Sequence, residues 1–278
     1  MSYQTIQVRP CTAVIGAEVF GIDLTEPLGN QQFQEVHDAL MAHQVIFFRD
    51  QKLTLDQHKA FGRLFGPLSI HPNTKGPDGH PEILPIHADA QSKRISGERW
   101  HTDVSCDQEP PMGSILNLKV IPPIGGDTVF ASMYAAYDAL SAPMRQFLAG
   151  LTAMHDGAPG YSRTNQIIGD SAPKTFPRAE HPVIRTHPVT GRQAIYVNPV
   201  FTTHIVGVPA AESTAILNFL YEHCARPHWQ VRFRWEADSI AFWDNRCVQH
   251  IAMWDYFPET RSGYRVTVKG DKPFYRGS

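Results

Sequence analysis

The stretch "WQVRFRW" at residues 229–235 alternates apolar and polar side chains along its whole length. Because successive side chains of a β-strand point to opposite faces, the pattern predicts a strand with Val231, Phe233 and Trp235 on one buried face. The stretch "YRVTVKG" at 264–270 alternates in the same way. Two such strands, far apart in the chain, point to a fold built mainly from short β-strands.

Further short segments rich in β-branched and aromatic residues support this reading. They are "VIFF" at 45–48, "SILNLKVI" at 114–121, "DTVFA" at 127–131, "PVIRTHP" at 182–188, "QAIYVN" at 193–198 and "SIAFWD" at 239–244. Helices are predicted over 31–42, 55–65, 132–140, 142–149 and 210–224, the second of them after a Thr54…Gln57 capping box. Many short alternating strands with few helices predict an antiparallel barrel or jelly roll with helices around it.

The amino-acid composition is typical of a soluble-type globular fold and argues against a nucleic-acid-binding or membrane-spanning protein. The 278 residues are 42% hydrophobic and carry a net charge of -2, values of a folded globular protein with no electrostatic reason to bind nucleic acid. No linker or repeat stands out, so one domain over 1–278 is predicted, and a homo-oligomer is left open. No apolar run approaches the roughly 18 residues of a membrane span. Four scattered cysteines without a Cys-x-x-Cys pair indicate reduced thiols. Since "MSYQTIQVRP" at the N-terminus also lacks an apolar signal core, a cytoplasmic protein is expected.

A His-x-Asp pair in "RWHTDVS" raises the question of a metal site. If the segment is extended, His101 and Asp103 point to the same face and offer two metal ligands. With fourteen histidines in the chain such a pair also arises by chance. A second pair, His87 and Asp89, has the same spacing, but its surroundings, "IHADAQSKRISGE", are polar and read as a loop.

A third ligand and a cluster of cations lie near the C-terminus. His250, in "FWDNRCVQHIAMWDY" just after an apolar strand, would complete the two-histidine, one-carboxylate set of non-haem Fe(II) oxygenases. Arg261 and Arg265 are separated by an even number of residues, so a strand would place both on one face. Two guanidinium groups there could hold two small anions, although a solvent-exposed cationic strand face is an equally open interpretation.

Taken together, the motifs resemble the Fe(II)/2-oxoglutarate-dependent dioxygenases of the TauD/TfdA family. The resemblance extends over nearly the whole chain and rests on "WHTDV", "GGDTVFAS", "HPVIRTHPVTGRQAIYVN", "FTT", "WDNR…QH", "DY…R…R" and "GDKPF", in this order. It implies a double-stranded β-helix, or jelly roll, that is mainly β with flanking helices. It also implies that the enzyme uses Fe(II), 2-oxoglutarate as cosubstrate and dioxygen.

The resemblance implies a role for nine residues. Fe(II) would be held by His101, Asp103 and His250. The distal carboxylate of 2-oxoglutarate would pair with Arg261, helped by the hydroxyl of Thr128. The organic acid substrate would be met by His71, the backbone at Val104, Phe201 and Arg265. For His71 an ordinary loop histidine is the competing interpretation.

The implied reaction hydroxylates a small organic anion, taurine or another alkylsulfonate, with release of sulfite and with succinate and carbon dioxide as co-products. Thr74 and Gly97 stand where the taurine enzymes carry larger polar groups, and Gly157 stands where they carry an aromatic residue. The polar segment 157–180 is expected to act as a lid that sets specificity. An alkyl sulfate or aryloxyalkanoate substrate therefore stays open. A zinc hydrolase and a non-catalytic jelly-roll anion-binding protein are the alternatives from other classes.

Overall fold

A computed structural model describes residues 3–71, 74–162 and 175–277. The strands are β1 Gln7–Pro10, β2 Ala17–Phe20, β3 Val45–Phe48, β4 Leu84–Ala88, β5 Gly113–Val120, β6 Thr128–Ser132, β7 Thr152–Asp156, β8 Arg178–Pro182, β9 Ile184–Thr186, β10 Gln193–Ile195, β11 Thr202–Ile205, β12 Gln230–Phe233, β13 Ile240–Asp244, β14 Val248–Ala252 and β15 Arg261–Val268. The helices are α1 Asn30–His43, α2 Leu55–Arg63, α3 Met133–Asp138, α4 Ala142–Leu148 and α5 Ala210–Cys224.

Two sheets form the centre of the fold. A seven-stranded sheet has the order β1-β2-β3-β13-β5-β15-β4, and a three-stranded sheet has the order β12-β6-β14. Neighbouring strands pair antiparallel, except that β2 and β3 run parallel. Two smaller sheets, β11-β7-β8 and β10-β9, complete the architecture.

The alternation in the sequence corresponds to two apolar layers. Val45 and Phe47 of β3 belong to the core between the two central sheets, where Phe47 stacks on Phe233 of β12 with ring centroids 4.0 Å apart. Ile46 and Phe48 point the other way, into a second core covered by α1 and α2. Because β3 is buried on both faces, its sequence is continuously apolar.

Most predicted elements are confirmed within a residue or two of their ends. Val231, Phe233 and Trp235 lie in the core, while Arg232 is exposed, as the alternation predicts. The Thr54…Gln57 capping box is present at the start of α2. Of the strand predicted over 182–188, only Ile184–Thr186 form a strand, β9, while Pro182 is the last residue of β8.

Two predictions near the site need correction. Residues 84–88 form an edge strand, although a loop was predicted from residue 86 onward. The strand is hard to recognise because it contains Pro85 and the exposed His87, while Ile86 and Ala88 line the cavity described below and also pack on apolar neighbours. His250 follows the predicted apolar strand, β13, and itself lies within β14, which was not predicted. Of the expected lid over 157–180, residues 163–174 lie outside the part of the chain that the structure describes.

Two further sequence predictions can be compared with the structure. Among the described residues, no helix combines the length and the apolar character needed to cross a membrane. Cys11, Cys106, Cys224 and Cys247 are all unpaired, and three of them are buried. The prediction of free thiols is therefore confirmed.

Candidate active site

A cavity of about 400 Å³ opens between strands of the two central sheets. Its size lies in the range of pockets that bind small molecules. Strands β4, β5, β13 and β15 of the larger sheet and β6 and β14 of the smaller one contribute to its wall. The structure brings all nine predicted site residues to this cavity: His71, His101, Asp103, Val104, Thr128, Phe201, His250, Arg261 and Arg265.

Three of these residues form a buried donor cluster. His101 and His250 face each other in an isolated antiparallel bridge, with backbone hydrogen bonds of 3.1 and 2.9 Å in the two directions. Their ring centroids are 4.1 Å apart. One imidazole nitrogen from each ring and a carboxylate oxygen of Asp103 lie within 4.8 Å of one another. This clustering is the arrangement needed for three ligands of one metal ion.

The hydrogen bonds of the two rings leave nitrogen atoms available for a metal. His101 Nδ1 lies 2.7 Å from the carbonyl oxygen of Arg99, an acceptor only, so Nδ1 carries a proton. His101 Nε2 is then the ring nitrogen that would bind a metal, and it lies 3.7 Å from Asp103 Oδ1. Burial, followed by the neighbouring His101 ring, lowers the pKa of His250 well below its usual value, so the His250 ring is neutral. Two imidazoles and one carboxylate are the ligand set of non-haem Fe(II) oxygenases.

Asp103 reaches the cluster from a turn, which corrects the expectation of an extended segment at 100–104. Only His101 pairs as in a strand, and residues 103–106 form a turn. Val104 has φ +44°, a left-handed conformation that is costly for a β-branched residue. Such strain marks a site where the surrounding structure fixes the backbone, here directly beside the donor cluster.

A buried network that the sequence analysis missed orients the Asp103 carboxylate. The Ser114 hydroxyl donates to Asp103 Oδ2 at 2.7 Å, and Asn245 Nδ2 donates to Ser114 at 3.1 Å. Asn245 Oδ1 accepts from the Trp243 indole at 2.9 Å. In the sequence, Ser114 could have been noticed as a polar residue at the start of the apolar strand "SILNLKVI".

Arg265 holds the other carboxylate oxygen. Its Nη1 donates to Asp103 Oδ1 at 2.9 Å. Burial alone would raise the pKa of Asp103, but the Arg265 guanidinium together with the neighbouring His250 and His101 outweighs burial, and the pKa lies well below its usual value. Asp103 is therefore ionised, and each of its oxygens still has a lone pair after accepting one hydrogen bond.

We expect Ser114→Ala to weaken metal binding by about 10- to 100-fold, because the carboxylate loses the donor that orients it. Equilibrium dialysis with Mn(II) would measure this effect without turnover. Ser239→Ala is the matched control, since Ser239 is a buried serine that bonds instead to Arg49 and Glu236. Equal affinities for the Ser114 variant and the wild type would contradict an orienting role.

Arg261 forms a second anion-binding position in the cavity. Its Nε donates to the carbonyl oxygen of Gly126 at 2.9 Å, and its Nη2 lies 3.3 Å from Thr128 Oγ1. Burial lowers the pKa of Arg261 to about 10, which still leaves the guanidinium charged at neutral pH. Within the described ranges no carboxylate pairs with it, because Asp127 binds Arg232 instead.

Thr128 and Gly126 complete this position. Thr128 Oγ1 accepts from Arg261 and from the Trp235 indole, so both lone pairs are used and its proton remains available to an anion. Gly126 has φ +73°, and a Cβ there would lie 3.1 Å from Arg261 Cδ. The glycine in "GGDT" therefore lets the arginine pass close to the backbone.

The remaining predicted substrate residues surround the donor cluster. Burial and the nearby Arg265 charge lower the pKa of His71, so its ring is neutral. Phe201 is buried, and its amide is held by Asn198 Oδ1 at 3.0 Å. His87, by contrast, lies at the cavity with a side chain that is 53% exposed, and its Nε2 pairs with Asp89 at 3.3 Å, outside the donor cluster. The structure thus separates the two His-x-Asp pairs.

A second buried cluster, His187, Asp244 and Cys247, does not suit a metal. His187 Nδ1 accepts the backbone amides of Val189 and Thr190, so its proton lies on Nε2 and is donated to Asp244 at 3.0 Å. Neither ring nitrogen then has a free lone pair. Arg246 pairs with both oxygens of the same carboxylate, at 2.8 and 2.7 Å.

Comparison with known proteins gives consistent matches. The family model described as taurine catabolism dioxygenase TauD, TfdA family matches residues 7–267. An alpha-ketoglutarate-dependent sulfate ester dioxygenase of Pseudomonas putida is 36% identical over 96% of this chain and 91% of its own length. An alpha-ketoglutarate-dependent sulfonate dioxygenase of Saccharomyces cerevisiae is 34% identical over 96% and 68%.

A solved structure agrees with these matches. The crystal structure of a taurine dioxygenase from Burkholderia xenovorans is similar with a TM-score of 0.84 and 42% identity, and the match covers 97% of this chain and 93% of that one. The predicted jelly-roll fold is thereby confirmed.

Proposed function

Since the chain belongs to the taurine catabolism dioxygenase TauD, TfdA family, and is thus an alpha-ketoglutarate-dependent dioxygenase, we propose that it hydroxylates a small organosulfur anion. Taurine or another alkylsulfonate is the proposed substrate. Hydroxylation of the carbon that bears the sulfonate gives an unstable product, which loses sulfite and leaves an aldehyde. One oxygen atom of O2 enters this product and the other enters succinate, formed from 2-oxoglutarate with loss of carbon dioxide.

The observation that carries the proposal is the placement of one donor cluster and two arginines around one cavity. His101, Asp103 and His250 would hold Fe(II), with their donor atoms within 4.8 Å of one another. When bound, the metal supplies the activation of dioxygen, which the side chains of the protein cannot perform. The chain's own contribution is to bind, orient and enclose the two organic anions.

Arg261 and Thr128 would bind the distal carboxylate of 2-oxoglutarate. The buried guanidinium offers charge, and Thr128 offers a hydroxyl proton that no described residue accepts. A carboxylate held here from two directions would be fixed at one end, and its keto-acid end would share the cavity with the donor cluster. An arginine fork suits this task because its hydrogen bonds are directional.

Arg265 and His71 would bind the anionic group of the substrate. Arg265 already contacts Asp103, so it would connect the substrate to a metal ligand directly. Phe201 and the backbone at Val104 would form the wall beside the carbon that reacts. A substrate anchored in this way is held in one position next to the metal site.

Family membership argues against the zinc hydrolase and the non-catalytic binding protein. An alkyl sulfate is the second candidate substrate, because the Pseudomonas putida relative is named as a sulfate ester dioxygenase and a sulfate ester also carries an anion for Arg265. An aryloxyalkanoate stays a further alternative. A single domain over 1–278, a cytoplasmic location and a homo-oligomer remain predictions.

Product analysis would test the proposal. Purified protein with Fe(II), 2-oxoglutarate and ascorbate should release succinate and sulfite in equal amounts from an alkylsulfonate, and succinate and sulfate from an alkyl sulfate. Succinate release that no sulfonate, sulfate ester or aryloxyalkanoate stimulates would contradict the proposed substrate class. Absence of any succinate would contradict the dioxygenase itself.

We expect the enzyme to turn over unsubstituted alkylsulfonates at least as well as taurine, which carries an amino group. Thr74 and Gly97 lack the larger polar groups of the taurine enzymes, and at Gly97, which has φ +86°, a Cβ would lie 3.2 Å from the His101 ring. A pocket built to hydrogen-bond a polar group rejects analogues without it roughly 10⁴-fold, but an open apolar pocket discriminates far less. Comparison of kcat/KM for taurine and butanesulfonate tests this, and a strong preference for taurine would contradict it.

A further inference from the structure

An aromatic side chain fills the space above Gly157. A Cβ at residue 157 would lie 2.9 and 3.0 Å from two ring carbons of Tyr161. Gly157 has no positive φ, so its backbone would accept a side chain, and it is chiefly the Tyr161 ring that excludes one, with Cys106 Sγ next at 3.2 Å. The two residues are one helical turn apart, joined by a hydrogen bond of 3.0 Å from the Tyr161 amide to the Gly157 carbonyl.

Tyr161 and Phe201 together line one side of the cavity, which we call the aromatic wall. Their ring centroids are 6.0 Å apart, and Phe176 stacks behind Tyr161 at 5.5 Å with an interplanar angle of 16°. Val104 and Val200 extend the same lining with apolar surface.

The backbone on both sides of the wall is held in place. The carbonyl of Phe201 accepts from the amide of Asp156 at 2.8 Å. The Asp156 carboxylate accepts from Ala158 at 2.7 Å and so caps the turn that carries Tyr161. The Gly157 amide donates to Pro177 at 3.0 Å, next to Phe176. Because these backbone hydrogen bonds hold the aromatic wall in one position, the wall can discriminate between ligands by shape.

The aromatic wall lies close to the anion-binding end of the cavity. Burial, followed by the nearby Cys106 and Asp107, raises the pKa of the Tyr161 phenol, which is also within electrostatic reach of Asp103 and Arg265. The phenol is therefore uncharged at neutral pH. An anion held by Arg265 would consequently have its first carbon atoms beside a neutral, largely apolar surface.

We propose that Tyr161 is a specificity-determining residue, whose ring makes the enzyme favour anions with an unsubstituted alkyl chain of several carbons. This inference rests on the proposed function, because it takes Arg265 as the anchor of the substrate anion. Each methylene that packs against the wall leaves water, which strengthens binding about fourfold. A charged ammonium group at the same place would lose hydration that a cation–π contact with the ring replaces only in part.

The test compares dissociation constants of ethane-, butane- and hexanesulfonate, measured by calorimetry without oxygen in the presence of Fe(II) and 2-oxoglutarate. For the wild type we expect affinity to rise about fourfold per methylene. Tyr161→Phe should keep this slope because the ring remains. Tyr161→Ala should reduce it to less than about twofold per methylene, with 2-oxoglutarate affinity unchanged.

A double variant provides a matched control for folding. Gly157→Phe combined with Tyr161→Ala places the ring in the same space from the neighbouring turn and should restore the chain-length dependence. An unchanged slope in Tyr161→Ala would overturn the inference, as would equal losses in the Phe and Ala variants, which would assign the effect to the hydroxyl. Failure of all three sulfonates to bind would overturn it as well. The proposed function is tested separately, by measuring sulfite and succinate release in air, so failure of the two proposals can be distinguished.

Discussion

Replacing His101, Asp103 or His250 by alanine should abolish iron-dependent turnover. The three side chains supply the only metal-ligand cluster among the described residues whose nitrogen lone pairs are free to bind. Loss of one member removes a ligand and also disturbs its neighbours, since Asp103 is in contact with Arg265 and Ser114. Succinate release with saturating 2-oxoglutarate, together with Mn(II) retention after dialysis, would measure both consequences.

His87→Ala is the matched control for these variants. It removes a histidine of the same His-x-Asp spacing, but this side chain is half exposed and lies outside the donor cluster. Near wild-type turnover and metal content are expected. Loss of metal in the His87 variant, with retention in the His101 variant, would show that the site has been assigned to the wrong pair.

Arg261→Ala should mainly raise the concentration of 2-oxoglutarate that is needed for turnover. Truncating one side of a buried charge pair costs about 2–5 kcal/mol, which corresponds to roughly 30-fold to several thousand-fold in the apparent affinity. The effect on KM for the organic substrate should be much smaller, because Arg265 and His71 are unchanged. Initial rates over a grid of both substrate concentrations would separate the two effects.

Two further variants separate the loss of the Arg261 fork from the loss of positive charge alone. Arg261→Lys keeps a charge but loses the fork, so it should lie between alanine and wild type. Arg232→Ala removes an exposed arginine that pairs with Asp127 and Asp255, and it should leave 2-oxoglutarate dependence unchanged. Identical 2-oxoglutarate dependence of wild type and Arg261→Ala would refute the proposed carboxylate contact.

The central sheets could be predicted from the sequence because their strands alternate around a core. β12 and β15 bury every second side chain against apolar partners, which leaves a clear period of two. β4 and β14 were missed because both line the cavity and neither shows a clear alternation of apolar and polar residues. In β14 the polar His250 faces the cavity, and β4 is a short edge strand that contains Pro85 and the exposed His87.

The sequence points to residues that converge on one cavity, whereas several of the elements that carry them could not be predicted. The ligand types and the two arginines followed from residue chemistry and from resemblance to a family. The turn at Asp103, the left-handed Val104 and the support from Ser114 could not be predicted, since they depend on contacts with β5 and with Asn245, far away in the chain. The position of Tyr161 over Gly157 is likewise visible only in three dimensions.

The most direct test of the account is the location of bound metal by anomalous diffraction from crystals grown with Mn(II) and 2-oxoglutarate without oxygen. We predict one strong peak in contact with His101, Asp103 and His250, with a carboxylate of the cosubstrate on Arg261 and Thr128. A peak at His187, Asp244 and Cys247, or a cosubstrate bound away from Arg261, would contradict the account.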